Sequence, residues 1–583
     1  MRYIRPITHL NSTIKKAVLI VFLAALLFFT SCATISEVFL QEDTLVYEVD
    51  DIEQEARIVT PLSGGQINVA MPVNPPSFNP LKVRNINMAN LYTLVFESPL
   101  SIDTDGVVRS NLVENWSVDS TGMIWTFQLR KNILWHNGLG ELTSEDFIYT
   151  MDLLMDYSSD ESFYARYNKR FGNFYAIDKY TFVLETIDPS IKRGDTETQP
   201  KPSSYIEYAM TFPILCKSYY EIADNIDTAW PIGTGAYEFT SYKDNVGIRL
   251  DVNDDWWKEK PYIDSINAIP IPDAASEILA YANQEIDLLG TSDRSANRYR
   301  KYSVTSVEEY MTQYYDCLVP NLYVPDNPDP SDIKFVHDIR ARQAIAYALN
   351  KAQIISKGLI NHAVATDVPI PPDSWLFDAS LTIYEHNQNQ AIQLIEEMGY
   401  TLYDEEGFRA KLNEETGEIE TLEIELMYPK EINDSYKQNI ASLIEEQLES
   451  LGMKIKLREL KSVDFQKSIT VGNFDLALMT FFIDRNPDPR FFLHGAGTAN
   501  YGRFKGEFMD IALNDCAVAI TDDQKKSSYS RVQDEFLKQL PHISLYFMTN
   551  SLIYDYSIKG ITNYRSLNIF NEVQSWYVIS EVQ

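Results

Sequence analysis

The chain has 583 residues, more than one hydrophobic core organises, so two or more lobes are expected. Apolar residues make up 45% and charged residues 23%, which excludes a disordered or low-complexity chain. A formal charge of −33 repels phosphate backbones and anionic membrane surfaces, so nucleic acid is excluded as a partner and the acidic exterior reads as a solvated surface.

At the N-terminus Lys15 and Lys16 precede thirteen uncharged, apolar residues, Ala17 to Phe29, followed by Thr30, Ser31 and Cys32. That run is short for a membrane span and matches a signal-peptide core, so residues 1–31 read as a signal. Phe-Thr-Ser-Cys resembles the lipobox of bacterial lipoproteins, with Phe29 where leucine is usual, and this makes Cys32 the lipidation site. The plainer alternative is a cleaved signal followed by an incidental cysteine. Residues 32–65 carry an acidic run, Glu42 to Glu55, and read as a tether.

Folding proper begins near Ile67. Ile67 to Met71, Pro99 to Val108 around a turn, and Ile124 to Leu129 alternate as strands, with Asp103-Thr104-Asp105-Gly106 a hairpin turn rather than a calcium loop. A helix opens at Thr143 or Ser144 and buries Phe147, Met151 and Leu154. Residues 188–204 form a long loop. Strands follow between Gly235 and Ile271, then a helix over Ala274 to Gln284 and a strand at Ile286 to Leu289. Val324 to Asp332, dense in Asp and Pro, marks a boundary between lobes.

Beyond it the spacing predicts helices over Ile339 to Lys357 and Gln390 to Met398. An alternation then carries the architecture: strand Leu422 to Met427, helix Asn433 to Leu451, strand Lys454 to Leu460, helix Phe465 to Thr470, strand Phe474 to Phe482. Such a β-α-β-α-β series implies parallel strands.

Ligands of open α/β sheets lie beyond the carboxyl ends of the strands, which points to the loop after Phe482. There Asp484 follows two aromatic residues, Phe481 and Phe482, a set suited to an extended peptide with a free ammonium terminus; the alternative is an Asp that bonds its own turn. No G-x-S-x-G, H-E-x-x-H or P-loop occurs, and the seven histidines include no pair at ligand spacing, so neither an enzyme nor a metal site is expected. With 83 Asp and Glu residues a paired-carboxylate hydrolase stays formally open. Cys216, Cys317 and Cys516 are far apart and odd in number, and no disulfide is assigned.

Several segments resemble, in order, the solute-binding receptors of oligopeptide and dipeptide ABC importers, extracellular solute-binding protein family 5. They are Phe96-Glu97-Ser98-Pro99-Leu100 with Asp105-Gly106, Leu112 to Trp116, Trp125 to Arg130, Trp135-His136-Asn137-Gly138, Leu142 to Phe147, Pro231 to Tyr237, Asn253 to Trp257 and Arg342 to Ala348. The resemblance implies an α/β, two-lobe, periplasmic-binding-protein-like (type II) clamshell with an additional inserted subdomain. Its expected limits are 66–97, 228–325 and 541–583 for the first lobe, 98–227 for the insert and 326–540 for the second lobe. It implies Asp484 as the ammonium-binding acid, Phe481 in the position of a common Trp, and Phe482, Met479, Phe96 and Glu97 beside them. It further implies a monomeric, cofactor-free, extracytoplasmic receptor, lipid-anchored at the membrane, with a peptide ligand and ABC permease subunits as partners. A same-fold receptor for a sugar or metal chelate, and a secreted hydrolase, are the alternatives.

Overall fold

The computed structural model describes residues 61–579, except 74, 76, 159–161, 163, 167, 188–200, 302–303, 330–331, 382–383, 414–416, 432–434 and 484–487. The signal segment, Cys32, nearly all of the tether, most of the 188–204 loop and Asp484 thus lie outside the described residues.

Strand β1 (Gln66–Met71) buries Ile67, Val69 and Met71 by simple alternation. Helix α1 (Ile86–Val95), capped by Asn85, leads to β2 (Leu100–Ile102) and β3 (Val108–Ser110), an antiparallel hairpin. Its turn is held by Asp103 Oδ1, which accepts from the N–H groups of Asp105 and Val107, and by Gly106 at φ +84°. Next come β4 (Val113–Val118), β5 (Ile124–Leu129), α2 (Ser144–Met155), β6 (Phe171–Asp178) and β7 (Thr181–Thr186). The four strands form their own sheet, ordered β4-β5-β7-β6. As the sequence predicts, α2 starts at Thr143 with a capping box to Asp146, and its Phe147 packs on Phe182 of β7.

The chain continues through β8 (Tyr237–Lys243), β9 (Gly247–Val252), β10 (Ser265–Pro270), α3 (Ala274–Ala282), β11 (Leu288–Thr291) and the 16-residue β12 (Thr305–Pro320). The single helix expected over 339–357 is two, α4 (Ile339–Ala348) and α5 (Lys351–Gly358). The break has a local cause: Asn350 leaves the helix and its side chain accepts from the N–H of Gln353, capping a new one. Beyond β13 (Ala363–Ala365) and α6 (Gln388–Glu397), a small sheet holds β14 (Leu402–Tyr403), β15 (Arg409–Leu412) and β16 (Ile419–Thr421). The alternation follows as β17 (Glu423–Lys430), α7 (Tyr436–Glu449), β18 (Lys454–Lys461), α8 (Ser462–Val471) and β19 (Leu476–Phe482). β17 pairs in parallel with both β18 and β19, as expected. Helices α9 (Glu507–Val518) and α10 (Asp522–Gln539) precede β20 (Ile543–Asp555).

One mixed sheet, ordered β18-β17-β19-β12-β20-β11-β1-β10-β9-β8 with β13 paired on β20, runs through both halves. The crossing is made by β12 and β20: residues 305–311 of β12 pair with 549–555 of β20 beside β11, while residues 314–320 pair with β19. On the second half, alternation sends Leu318, Leu476 and Leu478 into one core under α4, α5 and α7, and Cys317, Val319, Ala477, Met479 and Phe481 into another under α8, α9 and α10.

Candidate functional site

The ordered motifs of the sequence meet in one buried knot. His136 Nδ1 accepts from the N–H of Gly233, which leaves the proton on Nε2, 3.0 Å from the carbonyl of Gly235. That carbonyl also accepts from Asn253 Nδ2. Burial holds the His136 imidazole down to a pKa of about 4, as its acceptor role requires. Thr234 Oγ1 donates to Glu97 Oε2 at 3.0 Å and Trp257 Nε1 to the same oxygen at 2.8 Å. A Cβ on Gly233 or Gly235 would lie 1.8 Å from the carbonyl of Val95 or 2.3 Å from that of Leu94, so glycine is required for close approach.

Beside the knot lies a cavity of about 300 Å³. Tyr92, Phe96, Tyr208, Trp256, Phe482 and Phe570 supply rings to its wall, and Glu97, Asn111, Lys258, Gln313 and Arg565 supply polar groups. The first half of the chain and residues 565–574 build most of it; Gln313 enters from β12 and Phe482 from the end of β19. A register slip of β12 on β20 between Met311 and Tyr315 accommodates Gln313, whose carbonyl accepts from the N–H of Ile483 just past β19. Among the described residues no cluster of His, Cys, Asp and Glu could hold a metal ion.

The predicted site residues divide by strand parity. Phe482 lines the cavity with its ring edge-on to Tyr314, and Phe96 and Glu97 line it too. Met479 and Phe481 face the opposite side of β19: Phe481 is buried and stacked on His542 and Phe492, so neither lines this cavity. Adjacent strand residues point to opposite faces, so Phe481 and Phe482 cannot both face one cleft. Glu97 serves first as the centre of the knot. Lys258, Gln313 and Arg565 escaped the sequence reading, although a lysine directly after Trp256-Trp257 was a usable signal.

A polar network centred on a buried carboxylate ties β12 to its neighbours. Asp316 of β12 accepts from Lys437 Nζ at 2.8 Å, Thr480 Oγ1 at 2.6 Å and Tyr546 OH at 2.8 Å. The halves also touch directly through side chains outside the crossing strands. Trp375 Nε1 donates to Tyr208 OH at 3.0 Å, Glu207 pairs with Lys525 while accepting from Trp116 Nε1, and Asp488 pairs with both Arg170 and Arg490. The two arginines hold the Asp488 carboxyl below the usual range against the opposing effect of burial. Cys216, Cys317 and Cys516 are buried free thiols.

Residues 107–503 match the family model described as bacterial extracellular solute-binding proteins, family 5 Middle. The oligopeptide-binding protein AppA of Bacillus subtilis is 21% identical over 548 residues, covering 89% of this chain and 92% of that protein. Among solved structures, the ABC transporter substrate-binding protein CtaP of Listeria monocytogenes superposes with a TM-score of 0.70 at 19% identity, over 89% of this chain and 100% of that one. NikA from Brucella suis, in complex with Fe(III)-EDTA, gives 0.70 at 19% identity over 88% and 100%.

Proposed function

Because the chain belongs to the bacterial extracellular solute-binding proteins of family 5, a family of receptors and not enzymes, we propose that it captures short peptides outside the cytoplasm and delivers them to an ABC permease. The observation that carries this reading is the cavity where Gln313 of β12 and Phe482 of β19 meet Phe96 and Trp256: aromatic walls with a few hydrogen-bonding groups, Asn111, Gln313 and Lys258 among them, suit a peptide backbone of varied side chains. Asp484, just past Phe482, takes the ligand's ammonium group, and Asp484→Asn is expected to weaken binding of peptides with a free N-terminus at least tenfold while sparing N-acetylated ones. The lobes run over 66–97, 228–325 and 541–583 and over 326–540, with 98–227 inserted. Cys32 carries the lipid anchor, so Cys32→Ala should move the protein from the membrane fraction to the soluble one.

Incubating the mature chain with mixed oligopeptides and analysing bound and free fractions by mass spectrometry tests the reading. Intact peptides retained on the protein support it; cleaved peptides, or none retained, defeat it. The Brucella suis neighbour's Fe(III)-EDTA complex favours one second reading, a metal chelate as ligand, and retention of ferric chelate in place of peptide decides for that reading.

A further inference from the structure

We propose that Lys258 is a ligand-contacting, specificity-determining donor of the cavity, and that it takes an uncharged oxygen such as a peptide carbonyl, not a carboxylate. This rests on the peptide reading above. The Lys258 ammonium is fixed from several sides: Nζ lies 2.7 Å from Asn111 Oδ1 and 3.3 Å from Glu97 Oε1, and it sits over the rings of Trp257 at 4.7 Å and Trp256 at 5.3 Å. Its side chain keeps 35% exposure and lines the cavity, whereas that of Glu97 keeps 7%. An ammonium has three N–H groups; one goes to Asn111 and Glu97 Oε1 is met as an ion pair without a hydrogen bond, so donor capacity remains for a ligand.

Glu97 decides the charge of that ligand group. Thr234 and Trp257 occupy its Oε2, while Oε1 is buried without a hydrogen bond and is compensated by the nearby ammonium. The pair is therefore already neutral. A ligand carboxylate on Lys258 would set a second anion against Glu97 in a partly water-excluded cavity, and the repulsion would offset the attraction. A carbonyl oxygen brings the hydrogen bond without that penalty.

The test uses a randomised tetrapeptide library prepared once as free acids and once as C-terminal amides, with retention on wild type, Lys258→Met and Lys258→Gln read by native mass spectrometry. Both variants leave the Glu97 carboxylate without its cation and should melt lower than wild type, so retention is read at a temperature where circular dichroism shows them folded; there they should lose roughly ten- to a hundredfold in affinity for acids and amides alike. In Glu97→Gln the unneutralised ammonium should shift preference toward free acids by about tenfold. Equal binding by wild type and both Lys258 variants overturns the assignment, and a loss confined to free acids overturns the uncharged-oxygen claim. A wild type that retains neither library overturns the peptide reading itself, and this inference with it.

Discussion

The ammonium of Lys437 lies 2.8 Å from the carboxylate of Asp316, and their side chains are 3% and 0% exposed. Thr480 and Tyr546 complete the carboxylate's hydrogen bonds, so a strand on each side of β12 and a helix end converge on one buried charge. Removing one partner of such a pair is far worse than removing both. Lys437→Met should lower unfolding stability by about 3–5 kcal/mol, and adding Asp316→Leu should restore part of it. Urea denaturation of the single and double variants checks this; a single variant within about 1 kcal/mol of wild type would show the pair to be solvated.

Two glycines test the motif knot against ordinary backbone strain. Gly233→Ala drives a Cβ into the carbonyl of Val95, a clash that backbone movement alone relieves, and should cost about 3 kcal/mol or prevent folding. Gly140→Ala meets nothing within 4 Å and strains only a φ of +96°, so about 1 kcal/mol is expected. Similar melting temperatures for the two variants would contradict the close-approach argument.

Acid should destabilise the protein through its buried histidines. Burial holds His136 to a pKa of about 4 and His542 to about 3, against about 6.5 in an unfolded chain. Below 6.5 the unfolded chain binds protons that the folded one refuses. The contribution is therefore whole above 6.5 and falls with pH until the folded value is reached, at about 1.4 kcal/mol per unit for each ring. His542 stacks on Phe481 and its Nε2 has no hydrogen-bond partner, so His542→Phe can fill its place. Between pH 7 and 5 the variant should lose about 2 kcal/mol less than wild type. Parallel pH profiles of unfolding free energy would refute this.

The direct contacts between the halves should act as a latch. In Glu207→Gln/Arg170→Met the Glu207–Lys525 and Arg170–Asp488 ion pairs are gone, which leaves Lys525 buried without its carboxylate while Asp488 keeps only Arg490. Hydrogen exchange should rise in 204–209 and 517–525, where Ser204 N–H meets the carbonyl of Ala517, and the ligand-free radius of gyration should grow. Unchanged exchange in both segments would deny these pairs a role in holding the halves together.

Local rules made much of this fold legible. The capping box at Thr143, the Asp103 turn and the β-α-β-α-β alternation each depend on neighbouring residues, and each is found where expected. The helix break at Asn350 was missed because apolar spacing continues across it while one side chain redirects the backbone. At the site, Phe96, Glu97 and Phe482 do reach the cavity. Period-two alternation alone would have turned Phe481 and Met479 away from it. Lys258 is invisible in the sequence because its partner lies far off: Asn111 is 147 residues from Lys258.

The position of β20 has a consequence for how the protein is made. It lies between β12 and β11, in the middle of the sheet, yet spans residues 543–555 of a 583-residue chain. Neither half can close its sheet until nearly the whole polypeptide has been synthesised, so stable tertiary structure comes late. A chain that must be threaded across a membrane before it folds gains from that delay: what would trap it on the wrong side is the last strand of that sheet to arrive.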